Sequence, residues 1–176
     1  LTTLRCSEDD IRAMAGDKND LCLCGKLVDK FGDNGIVTVV AGRQQGDVLD
    51  LTLWLMSCRV LKRGMEDAMM DTVVAEAAAR GVKTIVGHYY PTAKNAMVRE
   101  FYAQYDFAKT AEDADGNTEW TLDVSAYTPE APPHEDRTLT DRKPYETNHP
   151  AKSGSRRTVC AAHGGTAGGC GFSAGG

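Results

Sequence analysis

Arg59, Lys62, Arg63 and Gly64 sit in the run Ser57-Cys58-Arg59-Val60-Leu61-Lys62-Arg63-Gly64-Met65-Glu66, after an apolar strand pattern and at the opening of an amphipathic helix. The first backbone N–H groups of a helix have no intrahelical acceptor, and that end of the helix is positive. Such donors, with two or three cations beside them, suit a phosphate group. The plainer reading is that Arg59 and Arg63 pair with Glu66 or Asp67, or solvate the helix start.

Asp50 and His88 are the candidates for a general base. Asp50 precedes Leu51 on an apolar strand, and Trp54 follows four residues on, which in a regular strand places it on the same side. That arrangement would set a carboxylate beside an aromatic wall; the alternative is a solvated strand carboxylate. His88 ends a buried-looking strand, where a lone histidine also serves as a satisfied structural group. Cys58 lies next to Arg59, which favours a thiolate, but the sequence places no histidine beside it. Asp113-Ala114-Asp115 has the bare spacing of a phosphate-carrying Asp-x-Asp pair, yet it falls in a turn and not after an apolar strand. Phosphoryl transfer by that route has no centre here.

These residues need elements to position them. Ser7 reads as an N-cap with Asp10 three residues on, opening a short helix to Ala15. Strands are expected over Asp20 to Lys30, Ile36 to Ala41 and Val48 to Met56, joined by turns at Phe31–Gly35 and Arg43–Asp47 into a meander. Residues 63–80 change period from two to 3.6, with Met65, Ala68, Met69, Thr72, Val73 and Ala77 on one stripe and Gly81 as a stop. A strand at Lys83 to His88, a helix from Ala93 to Tyr102 and a hairpin over Phe107–Glu112 and Glu119–Val124 complete the pattern. Past Tyr127, prolines and then glycines leave little to bury, so residues 129–176 are expected as a disordered tail behind a single domain at 1–128.

The whole composition agrees with a globular domain. The 176 residues are 41% hydrophobic and 26% charged, with a formal net charge of -5. Residues 1–130 hold 14 Lys or Arg against 21 Asp or Glu, and that acidic body argues against a nucleic-acid partner. The most apolar stretch, about Leu49 to Met56 and interrupted by Asp50 and Thr52, is too short to cross a bilayer, and no charged leader with an apolar core precedes it. A cytoplasmic protein with reduced thiols is expected. None of the six cysteines forms a Cys-x-x-Cys pair, and Cys160, His163 and Cys170 fall one ligand short of a closed zinc site, so no metal is expected. The chain starts at Leu1 with Thr2 and Thr3 reading as interior sequence, so a fragment or processed piece is expected.

The element order resembles the GCN5-related N-acetyltransferase (GNAT) fold without its first strand and helix. Arg59, Lys62 and Gly64 fall at the arginine and two glycine places of that family's pyrophosphate loop, and Asn95 with Phe101-Tyr102 and Asp106-Phe107 at its Asn-turn-Tyr motif. The segments "KFGDNGIV", "LWLMSCRVLKRGMEDAMM" and "YYPTAKNAMVREFYAQYDF" further resemble the carboxy-terminal module of FkbH-like proteins, where it follows a haloacid-dehalogenase-like (HAD subfamily IIIC) domain. The resemblance spans residues 1–128. It implies a mixed α/β (α+β) fold of the acyl-CoA N-acyltransferase type, a mixed central sheet with flanking helices.

For the site, the resemblance implies that backbone N–H groups from Leu61 to Gly64, with Arg59, Lys62 and Arg63, cradle the pyrophosphate of coenzyme A or the phosphate of a carrier-protein phosphopantetheine. Lys62 departs from the family's glycine there. Asn95 would hold the pantetheine or cap its helix, and Tyr102 would protonate the departing thiolate. The bland reading of Tyr102 is a ring packed over the sheet edge. The implied function is an acyltransferase working on a small-molecule or acyl-carrier-protein thioester, associated in the parent family with polyketide building blocks. Its alternative is a non-catalytic module that docks a carrier protein for a neighbouring HAD-like domain. A third expectation is that loss of the front strand exposes the Asp20–Lys30 edge and leaves the fragment inactive by itself.

Overall fold

The computed structural model describes residues 19–29, 32–61, 64–129 and 156–162, with backbone alone at 28, 29 and 156–162. The predicted helix at Ser7–Ala15 lies outside them. Seven strands form one mixed sheet: β1 (Asp20–Asp29), β2 (Gly32–Gln45), β3 (Val48–Met56), β4 (Thr84–Tyr89), β5 (Ala108–Glu112), β6 (Thr118–Asp123) and β7 (Arg156–Ala162). Their order is β5-β6-β4-β3-β2-β1-β7, and the described pairings are antiparallel except β3 with β4. This is the mixed central sheet that the resemblance implies.

Between the two parallel strands the chain crosses over through helix α1 (Met65–Ala79). All six residues of the predicted stripe are buried, from Met65 to Ala77, and Met70 and Val74 join them. Each large apolar side chain hidden this way contributes roughly 1.5–3 kcal/mol. Gly64 caps the helix start at φ 71°, and Gly81 leaves its end at φ 74°, both left-handed conformations that glycine adopts without strain. Val82 then donates back to the Ala77 carbonyl at 2.9 Å, which closes the helix end.

α1 covers β1 and β2 closely because Gly25 has no β-carbon. One there would collide with the side chains of Met65, Met69 and Thr38. Asp20, which is 5% exposed, starts β1 and takes two bonds from the Arg43 guanidinium, at 2.9 and 3.0 Å. That pair fixes the register of the first hairpin from its open end.

Two expectations change. The helix predicted for Ala93–Tyr102 is instead a chain of tight turns, with short 3-10 segments at Ala96–Val98 and Tyr102–Tyr105. Its bonds run three residues back, as from Val98 to Asn95 and from Phe101 to Val98. The Asn95 side chain explains this. Its Oδ1 accepts from the Thr92 N–H at 2.7 Å and its Nδ2 donates to the Tyr90 carbonyl at 2.8 Å, so local side-chain bonds outcompete a regular helix.

The second change concerns the tail. The stretch 129–176, expected without order, contains β7, which pairs antiparallel with β1 from Val28↔Arg156 to Cys22↔Ala162. The β1 edge expected to stand open is therefore covered. A strand edge carries a row of unpaired N–H and C=O groups, and a segment with no core of its own can still satisfy them.

Candidate functional site

The parallel ladder between β3 and β4 is short. It runs from Val48↔Thr84 to Leu51↔Gly87 and stops there. Beyond that point β3 continues to Met56, paired with β2, and β4 continues to Tyr89, paired with β6. The two central strands thus each keep an outer neighbour while losing one another. Their facing backbone groups from residue 52 on one side and 88 on the other line an opening in the middle of the sheet.

A bulge sits beside this opening. Arg43 pairs with Asp50 and Ala41 with Leu53, so β3 spends three steps where β2 spends two. Gly42 lies opposite the irregularity, and a β-carbon on it would come within 2.9 Å of the Asp50 carbonyl oxygen. The bulge also overturns one expectation. Asp50 pairs with Arg43, and Trp54 with Val40; Arg43 and Val40 are three apart on β2 and so lie on opposite faces. Asp50 and Trp54 therefore face opposite sides of the sheet, because an inserted residue reverses the alternation that the sequence reading assumed.

On Asp50's face, His88 comes to meet it. His88 Nε2 and Asp50 Oδ1 are 2.8 Å apart, with the imidazole about one-fifth exposed and the carboxylate about two-fifths. The Tyr90 ring stacks on the imidazole at 6.1 Å, its plane 18° away. An ionised carboxylate only accepts, so Nε2 is the donor of this bond, and in a neutral imidazole Nδ1 is then the nitrogen with the lone pair. The sequence offered Asp50 and His88 as separate candidates; the ladder brings them together at its last rungs.

The other face carries Tyr102. Its ring lies over Gly87, whose missing β-carbon would strike the ring. Trp54, Phe101, Phe107 and Trp120 surround it with ring centroids 5.0 to 6.5 Å away. The residue is fully buried, and its hydroxyl has no hydrogen-bond partner among the described residues. Burial pushes the phenol well above its ordinary range, opposed by the nearby His88 backbone N–H and helped by the Asp50 charge. The phenol therefore keeps its proton.

The anion loop is seen in part. Ser57 donates to the Val37 carbonyl at 2.8 Å, a 3-10 turn follows over Cys58–Val60, and Leu61 is half-buried. Arg59 is exposed, and its described polar contact is a long one, 3.5 Å to Ser57 Oγ. Gly64 caps α1, while Lys62 and Arg63 lie outside the described residues. Glu66 and Asp67 occupy the first turn, where they favour the helix dipole and reduce the positive potential offered to a phosphate. Tyr105 donates to Asp67 Oδ1 at 2.8 Å. Asn95 is largely engaged by its own loop, since Oδ1 also accepts from the Tyr89 hydroxyl at 3.2 Å. Cys58 is exposed, and no histidine contact to it is described.

Sequence reasoning missed Gly42, Gly87 and Tyr90. The signal for Gly87 was present, since glycine inside an apolar strand marks close approach of another group. Among the described residues no three His, Cys, Asp or Glu side chains gather as a metal site, and no helix is long and apolar enough to cross a membrane.

Comparison with known proteins bears on the fold. No protein-family model matches the chain, and no curated protein matches it. Among solved structures, the ribosomal-protein-S18-alanine N-acetyltransferase from Escherichia coli is 16% identical with a TM-score of 0.51, over 69% of this chain and 79% of that one. The GNAT domain of S. lividans PAT is 17% identical with a TM-score of 0.51, over 68% of this chain and 70% of that one. A GNAT-family protein from Desulfovibrio desulfuricans is 18% identical with a TM-score of 0.46; the chain spans 64% of its length. The chain has the GNAT fold, and at these identities the likeness extends to the fold alone.

Proposed function

We propose that the opening between β3 and β4 holds an acyl thioester, carried on coenzyme A or a carrier-protein phosphopantetheine, and that the domain transfers its acyl group to an amine or hydroxyl. One observation carries this reading. The ladder ends at Leu51↔Gly87, with a bare imidazole nitrogen on one face and an unpartnered, protonated phenol on the other. Those are the two proton functions that direct acyl transfer requires, set on opposite sides of one gap.

In this mechanism His88 Nδ1 takes the proton of the attacking acceptor, and Asp50 holds the imidazole in that tautomer through Nε2. Backbone N–H groups of β3 beyond the bulge, freed from β4, stabilise the oxyanion. Collapse of the tetrahedral intermediate breaks the carbon–sulfur bond, and Tyr102 gives its proton to the departing thiolate. No covalent intermediate is needed, and Cys58 has no part. Arg59 and the α1 start, with Lys62 and Arg63 in the same loop, would receive the phosphate groups, and Asn95 would keep the loop after β4 in place beside the pantetheine arm.

The finer reading follows the resemblance: an FkbH-like carboxy-terminal module, working beside a HAD-like domain on acyl-carrier-protein substrates for polyketide-type biosynthesis. A purely docking module would use the same loop, but would leave the Asp50–His88 bond and the buried phenol without a purpose. Calorimetric titration with acetyl-coenzyme A, and with an acetylated phosphopantetheinyl carrier protein, tests the binding half. Saturable binding lost in Arg59→Ala/Arg63→Ala supports the cradle; a folded chain that binds neither thioester sinks the proposal. Turnover screened against amines and alcohols then separates transferase from docking module.

A further inference from the structure

We propose that Cys24 and Cys160 form a disulfide site that clasps the carboxy-terminal strand to the sheet. In the antiparallel ladder of β1 and β7, Cys24 stands directly opposite Cys160. Directly opposed residues in such a ladder share a face and have Cα atoms about 4.5–5.5 Å apart, whichever of the two alternating pair types they form. A disulfide spans Cα separations of about 4.4–6.8 Å. The pair therefore meets the Cα condition through backbone register, and a non-hydrogen-bonded position in the ladder would bring the Cβ atoms to the roughly 4.5 Å that a bridge tolerates.

The register also selects this pair over its rivals. Cys22 shares the strand face of Cys24 but stands opposite Ala162. It is thus diagonal to Cys160, at about 7–8 Å, beyond a disulfide's reach. Cys22 and Cys24 are two residues apart on one extended strand, roughly 6.6 Å along its axis and near the limit of bridging. Cys22 is buried at 5% exposure, whereas Cys24 is half-buried. Register and access agree on Cys24.

The chemistry is thiol–disulfide exchange with a low-molecular-weight disulfide such as oxidised glutathione. One cysteine thiolate attacks a glutathione sulfur, breaking that S–S bond, forming a mixed disulfide and releasing one glutathione. The second cysteine thiolate then attacks the protein sulfur and releases the other. Two protein thiols lose two electrons and two protons, and one glutathione disulfide becomes two glutathione thiols. The result locks β7 over the β1 edge. Reduction by a thiol pool reverses it.

The test uses the full chain in native buffer, equilibrated with mixtures of reduced and oxidised glutathione. Remaining thiols are then alkylated and the peptides mapped by mass spectrometry. A cross-linked peptide joining Cys24 to Cys160 is expected, lost in Cys24→Ser and in Cys160→Ser and kept in Cys22→Ser. Unfolding in urea supplies the control. In a random chain, closure over 10 residues between Cys160 and Cys170 outcompetes closure over 136 between Cys24 and Cys160 by roughly fiftyfold. The native product must therefore give way to Cys160–Cys170 in urea. Cys160 linked mainly to Cys22 or Cys170 under native conditions, or glutathione adducts with no Cys24–Cys160 bridge, would overturn the proposal.

Discussion

The ring of Tyr102 occupies the space that a β-carbon on Gly87 would fill, at the last rung of the only parallel ladder among the described strands. The absence of one methyl group thus sets where a buried phenol meets the opening between β3 and β4. Gly87→Ala should force the ring aside and cost about 1–3 kcal/mol, the usual penalty for overpacking. Urea unfolding of Gly87→Ala, Tyr102→Ala and the double variant checks this. The pair should be non-additive by at least about 0.5 kcal/mol, because removing the ring makes room for the methyl.

Tyr102→Phe separates chemistry from packing. The hydroxyl is buried without a partner among the described residues, so its removal should leave stability unchanged or slightly higher. Acyl transfer should nevertheless fall by about 10²-fold or more, the usual worth of a positioned proton donor. A variant that loses stability and turnover in parallel would mark Tyr102 as a packing residue instead.

Asp50→Asn should act through His88. An amide at this position can donate to Nε2, which moves the imidazole proton to Nδ1 and removes the base. A loss of roughly 10²–10⁴-fold in kcat/KM is expected, with little change in thioester binding. Nitrogen NMR of the imidazole reads the tautomer directly and would not change if Asp50 were merely a surface carboxylate.

Stability should decline in strong alkali for a definable reason. Burial raises the phenol of Tyr102, and burial with the bond to Asp67 raises that of Tyr105. Above about pH 10 an unfolded tyrosine ionises while these two keep their protons in the fold. The unfolded state then binds fewer protons, so stability is fully present below about pH 10 and is lost as pH rises beyond it. The slope should approach about 1.4 kcal/mol per pH unit for each of the two. Urea midpoints at pH 9, 10 and 11 measure it, and Tyr102→Phe should remove one share.

Much of the scaffold was legible locally. The buried stripe of α1 from Met65 to Ala77 appeared as a 3.6-residue period, and Gly81 as its stop, because helix amphipathicity is written every third or fourth residue. The turn between β5 and β6 was legible in its Asp115-Gly116-Asn117 residue types, and in the structure Asp113 braces it by taking the Asp115 and Asn117 N–H groups at 2.9 Å each. The segment Ala93–Tyr102 was misread, since its apolar spacing suits a helix while Asn95 binds the backbone around it.

What the amino-acid sequence determined by itself was the set of elements and the residue types at their ends: Arg59 and Gly64 at a helix start, Asp50 and His88 near strand ends, Tyr102 among aromatics. Tertiary structure decided which of them meet. A bulge opposite Gly42 turned Trp54 away from Asp50, the short β3–β4 ladder joined Asp50 to His88, and Gly87 admitted Tyr102. It also brought Cys160 opposite Cys24 across 136 residues of chain. Periodicity is a property of neighbours along the chain, whereas register, bulges and strand divergence depend on pairing between distant segments, which no local pattern encodes.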